Sequence, residues 1–167
     1  MTDSSKLCLS CGLCCDGTLI GHVQLDPEEL LQVKSVMEIE DENSNGFFLQ
    51  PCKKYCDGCT IYSQRPTPCA SFKCGLLNSF DMREISFSQT AEIIKEVKKQ
   101  KAAIEKNILI HPIELQSQSF YFKMVELSGK LNRLKRDTIL TEGQDKLLGE
   151  LKQLNQLVEK RFGVTLD

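Results

Sequence analysis

The chain has 167 residues and a formal net charge of −2, with 41% hydrophobic and 26% charged residues. This is ordinary globular usage for one domain, or one domain with an appendage, and it excludes a strongly basic nucleic-acid footprint or a supercharged tail. The charge is unevenly placed: residues 1–74 carry six Lys/Arg against ten Asp/Glu, residues 75–167 fifteen against thirteen. An acidic first part suits a cation.

All nine cysteines lie between Cys8 and Cys74, and the rest of the chain has none. The opening MTDSSKLCLS has no apolar run of the secretory type. No later apolar stretch approaches the roughly 18–20 residues needed to span a bilayer. The expected compartment is therefore the cytosol, where clustered cysteines bind metal or do redox work more often than they form structural disulfides. An odd number of cysteines also fits poorly with a complete disulfide framework.

In chain order, residues 1–25 hold the first cysteine cluster, with Gly12, Gly17 and Gly21 spaced to let a backbone wrap tightly. Asp26-Pro27-Glu28-Glu29 reads as a helix start, and Leu30, Leu31, Val33, Val36 and Met37 as a short, partly apolar helix. Asp41 to Gly46 is polar and turn-like, and Phe47-Phe48-Leu49 reads as a strand. Residues 50–75 read as loop, with a short extended piece at Thr60-Ile61-Tyr62. From Ser86 onward the pattern is helical. Ser88 can cap a helix carrying Ile93, Ile94, Val97, Ile104 and Ile108, interrupted at His111-Pro112. Phe120, Met124, Leu127, Leu131 and Leu134 then recur at 4-3-4-3. After punctuation at Glu142-Gly143, so do Leu147, Leu151, Leu154 and Val158 at 4-3-4, with Gly163 as the stop. Two short stripes of this kind are core-facing and suggest an antiparallel helical pair.

The cysteines fall into two runs: Cys8-x2-Cys11-x2-Cys14-Cys15, and Cys52-x3-Cys56-x2-Cys59-x9-Cys69-x4-Cys74. Two cysteines three residues apart can close a small loop on one ion, and two such loops can be pinned together by it. Zinc takes four thiolates at about 2.3 Å. A [4Fe–4S] cluster also takes four, often three close together and one remote. Cys8, Cys11 and Cys14 have the triplet spacing, and Cys69 after Pro68 is a candidate remote ligand. Adjacent side chains in extended backbone point to opposite faces, so Cys14 and Cys15 can serve different ions. Nine thiols supply two four-cysteine sites with one left over, or one site plus free or redox thiols. Spacing leaves both open. A structural zinc contributes on the order of 10–16 kcal/mol to folding. A segment of this size with few large apolar residues needs such a staple.

The strings Cys8-Leu-Ser-Cys11-Gly12-Leu-Cys14-Cys15 and Cys59-Thr-Ile61-Tyr62-Ser-Gln-Arg65-Pro66-Thr-Pro-Cys69-Ala-Ser-Phe72 resemble the CxxCxxCC, or YkgJ-like, cysteine-cluster family over residues 8–74. That family is associated with zinc or iron chelation, and flagellin lysine N-methylases carry a related pattern. The resemblance implies a metal role for Cys8, Cys11, Cys14, Cys15, Cys52, Cys59, Cys69 and Cys74. Cys56 is an extra cysteine that completes the candidate set, and Ala70 stands where the family often has Arg.

Around the cysteines, Arg65 reads either as a group that hydrogen-bonds cluster sulfurs or as a loop anchor. Tyr62 and Phe72 read as packing, and His22, which could replace a cysteine ligand, reads first as a residue outside the metal set. His111 reads as a helix-break residue. Lys95, Lys98, Lys99, Lys101 and Lys106, and Lys130, Arg133, Lys135 and Arg136, read as solvated helix faces rather than a phosphate-binding surface. No G-x-G-x-x-G, G-x-S-x-G or H-E-x-x-H string is present.

The expected fold is mainly α, with a loop-rich, metal-stapled part over residues 1–80. Residues 81–167 are expected to form a helical hairpin or three-helix array, packed on the first part as one unit. The expected function is a cytoplasmic metal-binding protein holding zinc or iron, in one or two structural or redox sites. The alternatives are an iron–sulfur enzyme or accessory in protein methylation or electron transfer, and metal trafficking. Beyond the metal ion, the C-terminal helices can offer a protein partner surface.

Overall fold

Helices dominate the chain and one small sheet interrupts them in the computed structural model, which describes residues 3–42, 45–111 and 113–166. The first element is a helix, α1 (Asp3–Cys11), in a stretch that reads from sequence as cysteine loop. Leu7 anchors it by burial, and Gly12, in the left-handed region at φ 69°, ends it.

The sheet is antiparallel, three-stranded and ordered β1-β3-β2, built from β1 (His22–Gln24), β2 (Glu40–Glu42) and β3 (Asn45–Leu49). Val23 pairs with Phe48, which sets both on one face. Between β1 and β2 a 3-10 turn at Pro27–Glu29 leads into α2 (Leu30–Val36), the short helix expected there. The Glu29 carboxylate accepts the Asp26 N–H at the entry. Val23, Leu25, Leu30, Val33, Met37 and Phe48 form a small core of their own. The turn expected over Asp41–Gly46 falls partly outside the described residues, and its described flanks are strand.

The segment 50–75 is less loop-like than its composition suggests. Thr60-Ile61-Tyr62 is not extended: a 3-10 turn forms at Tyr62–Gln64, followed by α3 (Thr67–Ser71), with Pro68 in its first turn, and α4 (Gly75–Asp81). The long helices follow as α5 (Phe87–Ile110), α6 (Phe120–Asp137) and α7 (Glu142–Phe162). The cap of α5 is Ser86 rather than Ser88, because Ser86 Oγ accepts the Gln89 N–H at 3.3 Å while Gln89 reaches back to the Ser86 N–H. Glu142 and Gly143 begin α7 instead of breaking the chain, since Thr141 supplies the cap. At the other end Gly163 sits at φ 68° and stops the helix as expected. His111 closes α5 through its N–H to Asn107 O; Pro112 lies outside the described residues.

The apolar stripes meet as the spacing predicts. Met124, Leu127 and Leu131 from α6, Leu147, Leu154 and Val158 from α7, and Val97 and Ile104 from α5 are all buried in one core. Helix α7 packs most extensively on α5 and also on α6 and α4, so the three long helices form an array with α7 in the middle. Leu7, Leu13, Leu19 and Leu76 from the cysteine-bearing part enter this same core. No helix among the described residues is long and apolar enough to cross a membrane.

Leu154 is fully buried at the centre of that array. Leu154→Ala is expected to cost about 3 kcal/mol, read as a lower denaturation midpoint in urea with the m-value retained.

Candidate metal centre

The cysteine loop is built from short-range bonds. Cys8 and Cys11 stand three residues apart on α1, hence on one helix face. Beyond Gly12 the chain winds through successive turns, with Asp16 N–H to Gly12 O at 2.8 Å and the Thr18 and Leu19 N–H groups both to Leu13 O at 3.0 Å. Leu13 is buried beneath the turn, which forces Cys14 and Cys15 to project around it. A side chain at Gly12 would collide with the Tyr55 ring, so the second cysteine segment presses directly on the first. The Cys52 N–H donates to Cys15 O at 2.8 Å and closes the two segments together.

The second segment is also locally determined. Tyr55 and Cys59 pair as an isolated bridge, and Asp57 (φ 53°) and Gly58 (φ 145°) make the tight reversal between them. Cys69 rides on α3, whose Thr67 N–H is held by the Glu29 carboxylate at 2.7 Å. Cys74 stands immediately before α4. Backbone N–H groups lie near several sulfurs and partly offset the burial that raises their pKa: those of Leu76 and Leu77 near Cys74, Leu13 near Cys11 and Lys54 near Cys52. Such donors favour the thiolate over the thiol.

Eight of the nine thiols gather in two adjoining groups. Cys14 lies within electrostatic reach of Cys11, Cys74 and Cys8, as well as its neighbour Cys15. Cys15 instead faces Cys59, Cys52 and Cys69, with Cys8 further off. Cys69 in turn faces Cys52 and Cys59. Cys14 thus sits nearest Cys11 and Cys74, and Cys15 nearest Cys59, Cys52 and Cys69, while Cys8 adjoins both groups, with Cys11 and Cys74 on one side and Cys59 on the other. The groups line two cavities, one of about 50 Å³ touching Cys11 and Cys74 and one of about 330 Å³ touching Cys52, Cys59 and Cys69. Cys8, Cys14 and Cys15 border both. Cys56 is exposed and lines neither.

All nine cysteines are free of disulfides. Burial pushes the Cys11, Cys15 and Cys69 thiols up to about 12 and the Cys14 thiol well above its ordinary value, with neighbouring sulfurs adding to the rise. Cys8, although exposed on its outer side, is raised by burial too, against the opposing pull of Arg65. These thiols avoid charge when no cation is among them, because several thiolates in a small, partly dry space repel one another. Among the described residues, no three Cys, His, Asp or Glu side chains are drawn together tightly enough to hold an ion as they stand. The donor chemistry nevertheless fits a thiophilic metal: eight soft sulfur donors in two adjoining groups, with backbone N–H groups near several of them.

Other residues singled out in the sequence take definite places. His22 stacks on Phe122, with centroids 6.2 Å apart, meets Phe47 edge-on, and borders the larger cavity. Tyr62 and Phe72 also border that cavity, and the Arg65 guanidinium lies over the Tyr62 ring at 3.9 Å. His111 packs against Gly143. The solvated-face reading fails for Lys101, and Lys98, though exposed, also bonds the cysteine loop. Lys98 Nζ donates to Ser10 O at 3.3 Å, and Lys101 Nζ reaches Asp16 Oδ2 and Thr18 Oγ1, both at 3.0 Å. The Lys101–Asp16 pair is largely shielded from solvent, and the Asp16 carboxylate also accepts the Thr18 N–H and hydroxyl. Helix α5 therefore clamps the cysteine loop. Asp16-Gly17-Thr18 carries a local signal for the turn, but nothing local pairs Asp16 with a lysine 85 residues away.

Residues 7–85 match the model of the CxxCxxCC family, described as "Putative zinc- or iron-chelating domain". The match takes in all nine cysteines and covers just under half of the chain. No curated protein and no solved structure matches.

The raised thiols set a pH dependence for the metal-free protein. Their folded values lie above the ordinary 9.0, so the folded chain holds protons that the unfolded chain releases first. Stability from this source is complete below pH 9 and declines as pH rises from there toward about 12. Denaturant melts with a chelator and a reductant present are expected to show that decline, and an unchanged midpoint up to pH 11 would contradict it. Lys101→Met leaves Asp16 half-buried without its partner and is expected to cost about 1–3 kcal/mol, read in the same melts at neutral pH.

Proposed function

We propose that the chain is a metal-binding protein with two four-thiolate sites, one formed by Cys8, Cys11, Cys14 and Cys74 and the other by Cys15, Cys52, Cys59 and Cys69. The observation that supports this reading is that Cys14 lies nearest Cys11 and Cys74 while its neighbour Cys15 lies nearest Cys59, Cys52 and Cys69, around two adjoining cavities. The family description supports zinc or iron as the metal. Cys56, outside both sets, is the ninth thiol left over.

The residues do most of their work through charge. A divalent ion among four thiols displaces their protons, so binding weakens as pH falls and the loaded protein loses metal and stability on acidification, the reverse of the metal-free form. Bound metal supplies the attraction that draws the thiolates of each set together. Four thiolates fill every position on zinc, which assigns it a structural role and leaves no place for a substrate. Residues 1–80 then act as a metal-stapled unit seated on the scaffold of residues 81–167, through the shared core at Leu7, Leu13, Leu19 and Leu76. Free thiols throughout suit the reducing environment of the cytoplasm.

A second reading has its own support. The larger cavity, about 330 Å³, exceeds what one bare ion fills, and its walls include Ile20, Val23, Met37, Phe48 and Ile61. An apolar shell around four thiolates also suits an iron–sulfur cluster, whose potential such burial tunes. That version would be a redox site.

The deciding experiment is metal and sulfide analysis of protein purified without oxygen. About two zinc per chain supports the structural reading. About four iron with matching acid-labile sulfide supports the cluster. Folded protein with neither metal would overturn both. Cys74→Ser and Cys52→Ser are each expected to remove about one equivalent of zinc, whereas Cys56→Ser is expected to leave the content unchanged.

A further inference from the structure

The two thiolate sets adjoin, and this creates an electrostatic difficulty. Four thiolates on one divalent ion leave a net charge of about −2, and two such groups lie side by side in a partly dry space. Glu29 adds a carboxylate near Cys69. The nearby cations are not equivalent. Lys98 approaches Cys11, and Lys54 approaches Cys52. Arg65 differs: it lines one cavity with Cys8 and Cys14 of the first set and Cys59 and Cys69 of the second, and its charge acts on both Cys8 and Cys69.

Arg65 is also held in place. It follows the 3-10 turn Tyr62–Gln64 in extended backbone, and its guanidinium is stacked 3.9 Å above the Tyr62 ring. Together with Cys8, Cys59 and Cys69 it lines the larger cavity. A stacked, planar guanidinium keeps its charge at any accessible pH and offers several donors in a fixed fork, so it can address two sulfurs at once with little ordering cost. Lysine carries the same charge without the fork or the stack.

We infer that Arg65 is a positioning residue that bridges the two thiolate sets, offsetting the charge of both, so that each site's metal affinity depends on it. The inference rests on the two-set reading above and adds to it a coupling between the sites. One consequence is that metal at one site, by drawing Cys8 or Cys69 inward, fixes the guanidinium for the other site, and the two load together.

The test uses the full chain without oxygen, with cobalt(II) alone as probe, followed through its thiolate-to-metal charge-transfer absorbance and competed with a chelator. Wild-type protein is expected to take two equivalents cooperatively. Arg65→Gln is expected to weaken both equivalents by about 10–100-fold, with the far-ultraviolet helical signal kept. Arg65→Lys is expected to recover part of that loss, since it restores charge but not the fork. A packing role for Arg65 would not give this graded rescue. Loss confined to one equivalent, or unchanged affinity in Arg65→Gln, would overturn the bridge while leaving two sites standing. A lysine variant no better than glutamine would overturn the charge argument. Fewer than two equivalents in the wild type would overturn the two-set reading itself, and the bridge with it.

Discussion

Eight sulfurs gathered around two adjoining cavities impose a charge constraint that the surrounding structure is arranged to meet. As thiols they are comfortable but loosely placed, and burial holds Cys11, Cys14, Cys15 and Cys69 firmly in the neutral form. As thiolates they would repel one another unless cations stood among them. The backbone N–H groups at Cys11, Cys52 and Cys74, and the side chains of Arg65, Lys98 and Lys54, are all disposed toward the charged form. These groups favour the thiolate form, which is the form that a thiophilic metal takes as a ligand.

The same constraint accounts for the division of labour between the two parts of the chain. The cysteine-bearing segment has only a small core of its own around Val23, Leu30, Val33 and Phe48. It gains rigidity from outside: Leu13 and Leu19 plug into the helical array, and Lys101 on α5 holds Asp16 at the base of the cysteine loop. The helices of the array are in turn specified locally, by caps at Ser86, Ser119 and Thr141 and by apolar stripes on three helices. Removing metal should loosen the first part far more than the second.

Sequence patterning made the helices legible because capping residues and 4-3-4 spacing act within a few residues of one another. The strand at Phe47-Phe48-Leu49 and the short helix after Pro27 were legible for the same reason. Helices α1 and α4 were not, since Asp3–Cys11 and Gly75–Asp81 carry little periodicity and are stabilised by contact with α5, α7 and each other. The extended piece read at Thr60-Ile61-Tyr62 gave way to a 3-10 turn leading toward Pro66 and α3. The lysines of α5 look alike in sequence, and only the fold brings Lys98 and Lys101 against the cysteine loop while leaving others in solvent.

Count, spacing and residue type therefore established by themselves that residues 8–74 concentrate soft sulfur donors and that a helical array follows. Those properties are written in the side chains and hold in any conformation. Which thiols border which cavity, that Cys56 borders neither, and that Arg65 shares a cavity with Cys8 and Cys69 were decided only by the tertiary structure. They depend on side-chain directions set by a buried Leu13, a helix end at Gly12 and a strand-like pairing at Tyr55, where segments more than 40 residues apart are pressed into contact.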